Sequence, residues 1–156
     1  MFRRSGASAR EAVAERSASI ATDETSREPA GPRRLLLVED DELMRRFAGE
    51  VLQGAGFEVD MAVHGGEALS RLQQSATLYH LVVLDLVLPW VNGLQVLAAM
   101  RNNERTRTIP VVIITGTVMT KHDFPGERHL TVLRKPFEPD RLVSSVNLML
   151  HGGDAA

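Results

Sequence analysis

From Arg34 onward, short aliphatic runs alternate with amphipathic stretches. Leu35-Leu-Leu-Val38 and Leu81-Val-Val-Leu84 are unbroken runs, the pattern of strands buried on both faces. Ile109-Pro-Val-Val-Ile-Ile114 is β-branched, with its proline at the start, where a strand tolerates one. Phe57-Glu-Val-Asp-Met61 alternates with period two, which puts it nearer a sheet edge, and Leu130–Leu133 is the last strand candidate. The stretches between them have helical spacing. Asp41 to Gln53 places Leu43, Phe47 and Val51 on one apolar face, and Gly54 and Gly56 stop it. His64 to Ser75 carries Ala68, Leu69 and Leu72, and Asn92 to Arg101 carries Leu94, Leu97 and Ala98. Glu138 to Leu150 aligns Leu142, Val146 and Met149, with Pro139 at the first helical position. Between Gly116 and His129 the spacing fails and Pro125-Gly126 breaks the segment, which predicts a loop with at most a short helix.

Strands alternating with helices predict an α/β fold: a doubly wound, five-stranded parallel sheet with helices on both faces and a fourth helix short or absent. The domain is expected over residues 33–150. Residues 1–32 are rich in Ala, Ser, Arg and Glu, with Val13 and Ile20 as isolated large aliphatics. Such a segment buries too little apolar area to offset its ordering entropy and is expected to be a disordered extension, as are residues 151–156. Pro29-Ala-Gly-Pro32 marks the boundary. The extension has no apolar stretch for a secretory signal and too many acids for a transit peptide.

Composition narrows the chemistry. The 156 residues contain no Cys, which excludes disulfides, thiolate metal sites and cysteine nucleophiles. No apolar run approaches the ~18 residues of a membrane span. The net charge of −2 gives no reason to expect a nucleic-acid or membrane partner. Residues 1–34 hold seven Arg against five acids, while the rest holds eleven basic and fifteen acidic residues. A cytoplasmic protein is expected, monomeric or weakly dimeric.

Where the strands end is informative, because doubly wound sheets bind ligands beyond their carboxyl ends. The first strand delivers Glu39-Asp40-Asp41, the third Asp85, the fourth Thr115, and the fifth leads to Lys135. No glycine-rich phosphate loop follows the first strand. In the flavodoxin-like order 2-1-3-4-5 the first and third strands are neighbours, so Glu39, Asp40 and Asp85 converge. Three such carboxylates cannot all stay ionised without a cation, and the hard oxygen donors suit Mg²⁺. A carboxylate beside Mg²⁺ can attack phosphorus, with Lys135 and the Thr115 hydroxyl meeting the remaining oxygens. Taken singly, each residue has a plainer role: helix start, turn, strand end or solvated charge. Their conjunction at four strand ends favours a site.

These motifs resemble the receiver domain of two-component response regulators, the CheY-like superfamily, over about residues 33–150. The residues concerned are Val38-Glu39-Asp40-Asp41, Leu84-Asp85 through Leu88-Pro89 to Asn92-Gly93, Ile114-Thr115-Gly116 and Arg134-Lys135-Pro136-Phe137. The resemblance implies that Asp85 is the phosphoacceptor and that Glu39 and Asp40 are the acidic metal pair. It also implies that the Val87 backbone carbonyl completes a Mg²⁺ site, that Thr115 is the switch hydroxyl, and that Lys135 is its cationic partner before a cis proline. A histidine kinase or histidine phosphotransfer protein would donate the phosphoryl group, and a stand-alone receiver would signal to a separate protein. Three departures stand out. Val132 replaces the usual aromatic switch residue, the Thr115–Lys135 segment is short, and Val87 puts an apolar side chain beside the acceptor, which predicts a long-lived aspartyl phosphate.

Two rival readings compete with a receiver. An aspartate-nucleophile phosphatase expects a second Asp two residues after the nucleophile, where this chain has Val87, so an enzyme is not expected. A phosphorylation-independent scaffold on the same fold is the alternative; the acid–Thr–Lys set opposes it. Trp90 is expected as a rim aromatic over the third helix, the five histidines (64, 80, 122, 129 and 151) as surface or turn residues, and Arg45-Arg46 as a solvated helix face.

Overall fold

A computed structural model describes residues 31–75 and 79–152. The extension expected over residues 1–32 lies outside the described residues except at its end, as does the tail beyond Gly152. The elements run β1 (Arg34–Val38), α1 (Glu42–Gly54), β2 (Glu58–Ala62), α2 (Gly65–Ser75), β3 (Leu81–Asp85), α3 (Gly93–Arg101), β4 (Val111–Thr115), β5 (Leu130–Arg134) and α4 (Pro139–Leu150). All strand pairs are parallel and the order is β2-β1-β3-β4-β5, as expected. The two unbroken aliphatic runs, β1 and β3, sit side by side with Leu35 opposite Leu81 and Val38 opposite Leu84. The alternating segment is the edge strand β2.

The pleat divides the apolar residues between two cores. Leu36, Val38, Val82, Leu84, Val111 and Ile113 face Ala68 and Leu72 of α2 and Val96, Leu97 and Met100 of α3. Leu35, Leu37, Leu81, Val83, Val112 and Ile114 face Ala48 and Leu52 of α1 and Leu142, Val146 and Met149 of α4. Burying one such aliphatic side chain stabilises the fold by about 1.5–3 kcal/mol, so both faces resist polar substitution.

Two helices are rotated from their expected phase. In α1 the buried residues are Ala48, Gly49 and Leu52, while Leu43 is 78% exposed. The helix lies so close to β2 that a Cβ on Gly49 would collide with the Met61 methyl, so the sheet-facing side is small. Phe47 turns outward to meet Phe137, ring centroids 5.9 Å apart. In α3 the buried residues are Gly93, Val96, Leu97 and Met100, with Leu94 half exposed and Ala98 exposed. A Cβ on Gly93 would run into the Asp85 and Leu86 backbone, so this helix starts pressed against the end of β3.

In place of a fourth α-helix before β5, residues 116–129 hold a single 3₁₀ turn, Lys121–Asp123, capped by Thr120. Arg101 anchors this segment. Its Nε donates to both Glu127 carboxylate oxygens at 3.0 and 2.9 Å, and its Nη atoms reach the Arg107, Ile109 and His129 carbonyls.

Candidate functional site

The central strands end at one corner, and their last side chains define it. After β1 the chain keeps parallel pairing for one more bond, Glu39 N to the Ala62 carbonyl at 3.1 Å. That bond holds Glu39 at the sheet end, where its side chain is fully buried. Asp40 follows and is exposed, and Asp41 leaves the corner to cap α1, accepting from Met44 N at 2.9 Å. The acidic run therefore divides its labour: one residue starts the helix while two stay with Asp85. Carboxylate oxygens of Glu39, Asp40 and Asp85 all lie within 4.8 Å of one another.

Asp85 closes β3 and is 3% exposed. Its Oδ1 accepts from Val87 N at 3.1 Å, and its Oδ2 accepts from Lys135 Nζ at 3.1 Å. Lys135 also donates to Glu39 Oε1 at 2.7 Å. Its backbone is held at the sheet end by the bond from Lys135 N to the Thr115 carbonyl at 2.7 Å, and the Lys135–Pro136 peptide is cis, as the sequence resemblance implied. Thr115 closes β4 and is fully buried, with its hydroxyl bonded to Thr117. Val87 is 66% exposed, its backbone next to Asp85 and its apolar side chain in solvent.

The electrostatics follow from burial. Desolvation, with the Asp85 carboxylate adding to it and Lys135 opposing it, pushes the Glu39 carboxyl up to about 8. Burial also pulls the Lys135 ammonium down, but its bond to Glu39 and the Asp85 charge outweigh this and hold it above the ordinary lysine value. Glu39 Oε2 is buried and has no hydrogen-bond partner. An unpartnered buried carboxyl oxygen beside two further acids is a group that a bound cation would satisfy, and three hard oxygen groups fit a divalent one such as Mg²⁺.

Sequence reasoning missed one contributor. Arg45, read there as a solvated face with Arg46, is half-buried, and its Nη1 donates to the Glu39 and Asp40 carbonyls at 3.1 and 3.2 Å. It ties α1 to the acidic turn and sets a positive charge against it. Two histidines lie at bends and also accept from the backbone: His64 Nδ1 from Glu67 N at the start of α2, and His80 Nδ1 from Arg34 N. Trp90 sits at the rim. It is 84% exposed, has a left-handed φ of 61°, and meets the His64 ring edge to face at 5.4 Å.

Comparison with known proteins decides the family. The response regulator receiver domain model matches residues 35–147. This chain belongs to that family. Response regulator receiver protein CpdR of Brucella abortus is 35% identical over 120 residues, covering 76% of this chain and 97% of that protein. A probable transcriptional regulator of Pyropia yezoensis is 34% identical over 119 residues, covering 75% of this chain and 53% of that one. The receiver thus spans about half the length of several curated relatives it matches. Among solved structures, a putative response regulator from Chloroflexus aurantiacus superposes with a TM-score of 0.70 at 32% identity, covering 77% of this chain and 98% of that one. The Vibrio cholerae chemotaxis protein CheY4 gives 0.69 at 25% identity, covering 76% and 99%. Receiver domains are phosphorylatable signalling domains of two-component systems. No helix among the described residues is long and apolar enough to cross a membrane.

Proposed function

We propose that this receiver accepts a phosphoryl group on Asp85 from a histidine kinase or histidine phosphotransfer protein, in a Mg²⁺-dependent phosphorelay, and thereby controls a partner protein. The observation that carries this reading is the convergence of Glu39, Asp40 and Asp85 on one corner under Lys135. An Asp85 oxygen would form the new P–O bond as the P–N bond to the donor imidazole breaks, the imidazole keeping the electron pair. Val87 N holds Oδ1 and Lys135 holds Oδ2, so the carboxylate is oriented before any donor arrives. Lys135 is also placed to meet a phosphoryl oxygen. Glu39, Asp40, Asp85 and the Val87 carbonyl would hold Mg²⁺, which when bound neutralises charge on the transferring group. Thr115 would serve as the hydroxyl that reads the new charge, coupling it to the segment 116–129.

Output through the family's fourth helix is altered here, because a 3₁₀ turn occupies that segment and a half-buried Val132 packs against the core in place of an aromatic. Titrating Trp90 emission with Mg²⁺ and then beryllofluoride tests the proposal. A response in the wild type that is absent in Asp85→Asn is expected. A wild type blind to both additions, with no magnesium heat by calorimetry, would favour a phosphorylation-independent scaffold.

A further inference from the structure

Thr115 is fully buried at the end of β4, yet both hydrogen bonds of its hydroxyl run to one neighbour and neither runs to Asp85 or Lys135. Its Oγ1 lies 2.8 Å from the Thr117 hydroxyl and accepts from Thr117 N at 3.1 Å. Thr117 itself is exposed, on the first part of the segment that replaces a helix. A hydroxyl that accepts from a backbone N–H has its own proton free to donate, and here Thr117 Oγ1 is within reach of it. Turning that hydroxyl toward a phosphoryl group means surrendering both bonds at Thr117. We propose that Thr117 is a positioning residue, a latch that holds the Thr115 hydroxyl away from Asp85 and so biases the receiver toward its unphosphorylated form.

The inference rests on Asp85 as the acceptor and adds a residue that sets how readily the acceptor's charge is read. A ligand shifts a two-state equilibrium only by its differential affinity, so weakening one state's private bond raises apparent affinity for a ligand of the other. Thr117→Val keeps the side-chain shape, removes the hydroxyl bond and leaves the backbone bond in place. Losing one neutral hydrogen bond of this kind corresponds to a change of about three- to tenfold.

Beryllofluoride affinity in Mg²⁺ buffer, read by Trp90 emission on the full chain, is the test. Thr117→Val is expected to bind about three- to tenfold more tightly than wild type, with Thr117→Ser back at the wild-type value. In a Thr115→Val background the same change should do nothing, since no hydroxyl remains to be held. Unchanged or weaker binding by Thr117→Val overturns the latch, as does an equal gain without the Thr115 hydroxyl or a failure of Ser to restore. Tight binding by wild type alongside any of those results leaves the acceptor reading standing. Absence of binding by the wild type overturns the acceptor reading and the latch together.

Discussion

Lys135 Nζ lies 2.7 Å from Glu39 Oε1, across 96 residues of sequence, and the same ammonium reaches Asp85 Oδ2 at 3.1 Å. One cation just beyond β5 thus spans the ends of β1 and β3. It also occupies an oxygen that, on the proposed reading, a divalent ion would use.

On the proposed reading, lysine and Mg²⁺ would compete at this corner. Lys135→Ala removes a positive charge within a few ångströms of the site and should raise Mg²⁺ affinity by about tenfold, because like charges repel strongly where solvent is scarce. Isothermal calorimetry measures this directly. Weaker magnesium binding in the variant would mean that Lys135 organises the acids rather than opposing the ion.

The raised Glu39 carboxyl predicts a pH dependence. Its value moves from an ordinary 4.5 to about 8 on folding, so between those values the folded chain holds more protons than the unfolded one. Stability contributed by this group then falls as pH rises through that window. In chelator-containing buffer the melting temperature of wild type relative to Glu39→Gln should decline from about pH 5 to about pH 8, and added Mg²⁺ should reverse the decline. A flat difference across that range would contradict the burial argument.

Arg101 should be a stability residue for the segment before β5. Its guanidinium pairs with Glu127 and three carbonyls, and both side chains of the pair are 18% exposed. Arg101→Ala should cost about 2–3 kcal/mol in urea unfolding, mainly by leaving partly buried acceptors unmet. A loss within ~0.5 kcal/mol would place it among ordinary surface residues.

Val87 sits with its side chain in solvent next to the acceptor. No polar group on that side chain can orient an attacking water, so the aspartyl phosphate should decay more slowly in wild type than in Val87→Asn. Radiolabel decay followed on both proteins checks the order. Equal or faster decay in the wild type would remove Val87 as the determinant.

The strands were legible because a buried parallel strand has no polar face to obscure it: Leu35–Val38 and Leu81–Leu84 can only be central. The three acids that meet at one corner were legible for a related reason, since a charged group after such a run lies at a sheet end. The helix phases of α1 and α3 were not. Their spare aliphatics, Leu43 and Leu94, are exposed, while glycines at 49 and 93 make the close contacts, and a missing side chain leaves no apolar signal. Arg45 was hidden because its partners are backbone carbonyls, which any sequence supplies. Arg101 and Glu127 meet across 26 residues through a loop whose path no local pattern dictates.

Intact-mass analysis after treatment with a small phosphodonor such as acetyl phosphate tests the central claim most directly. Wild type in Mg²⁺ should gain the mass of one phosphoryl group, labile at alkaline pH, and neither Asp85→Asn nor chelator-treated wild type should gain it. A full adduct on Asp85→Asn, or none on the wild type with magnesium present, would contradict the assignment.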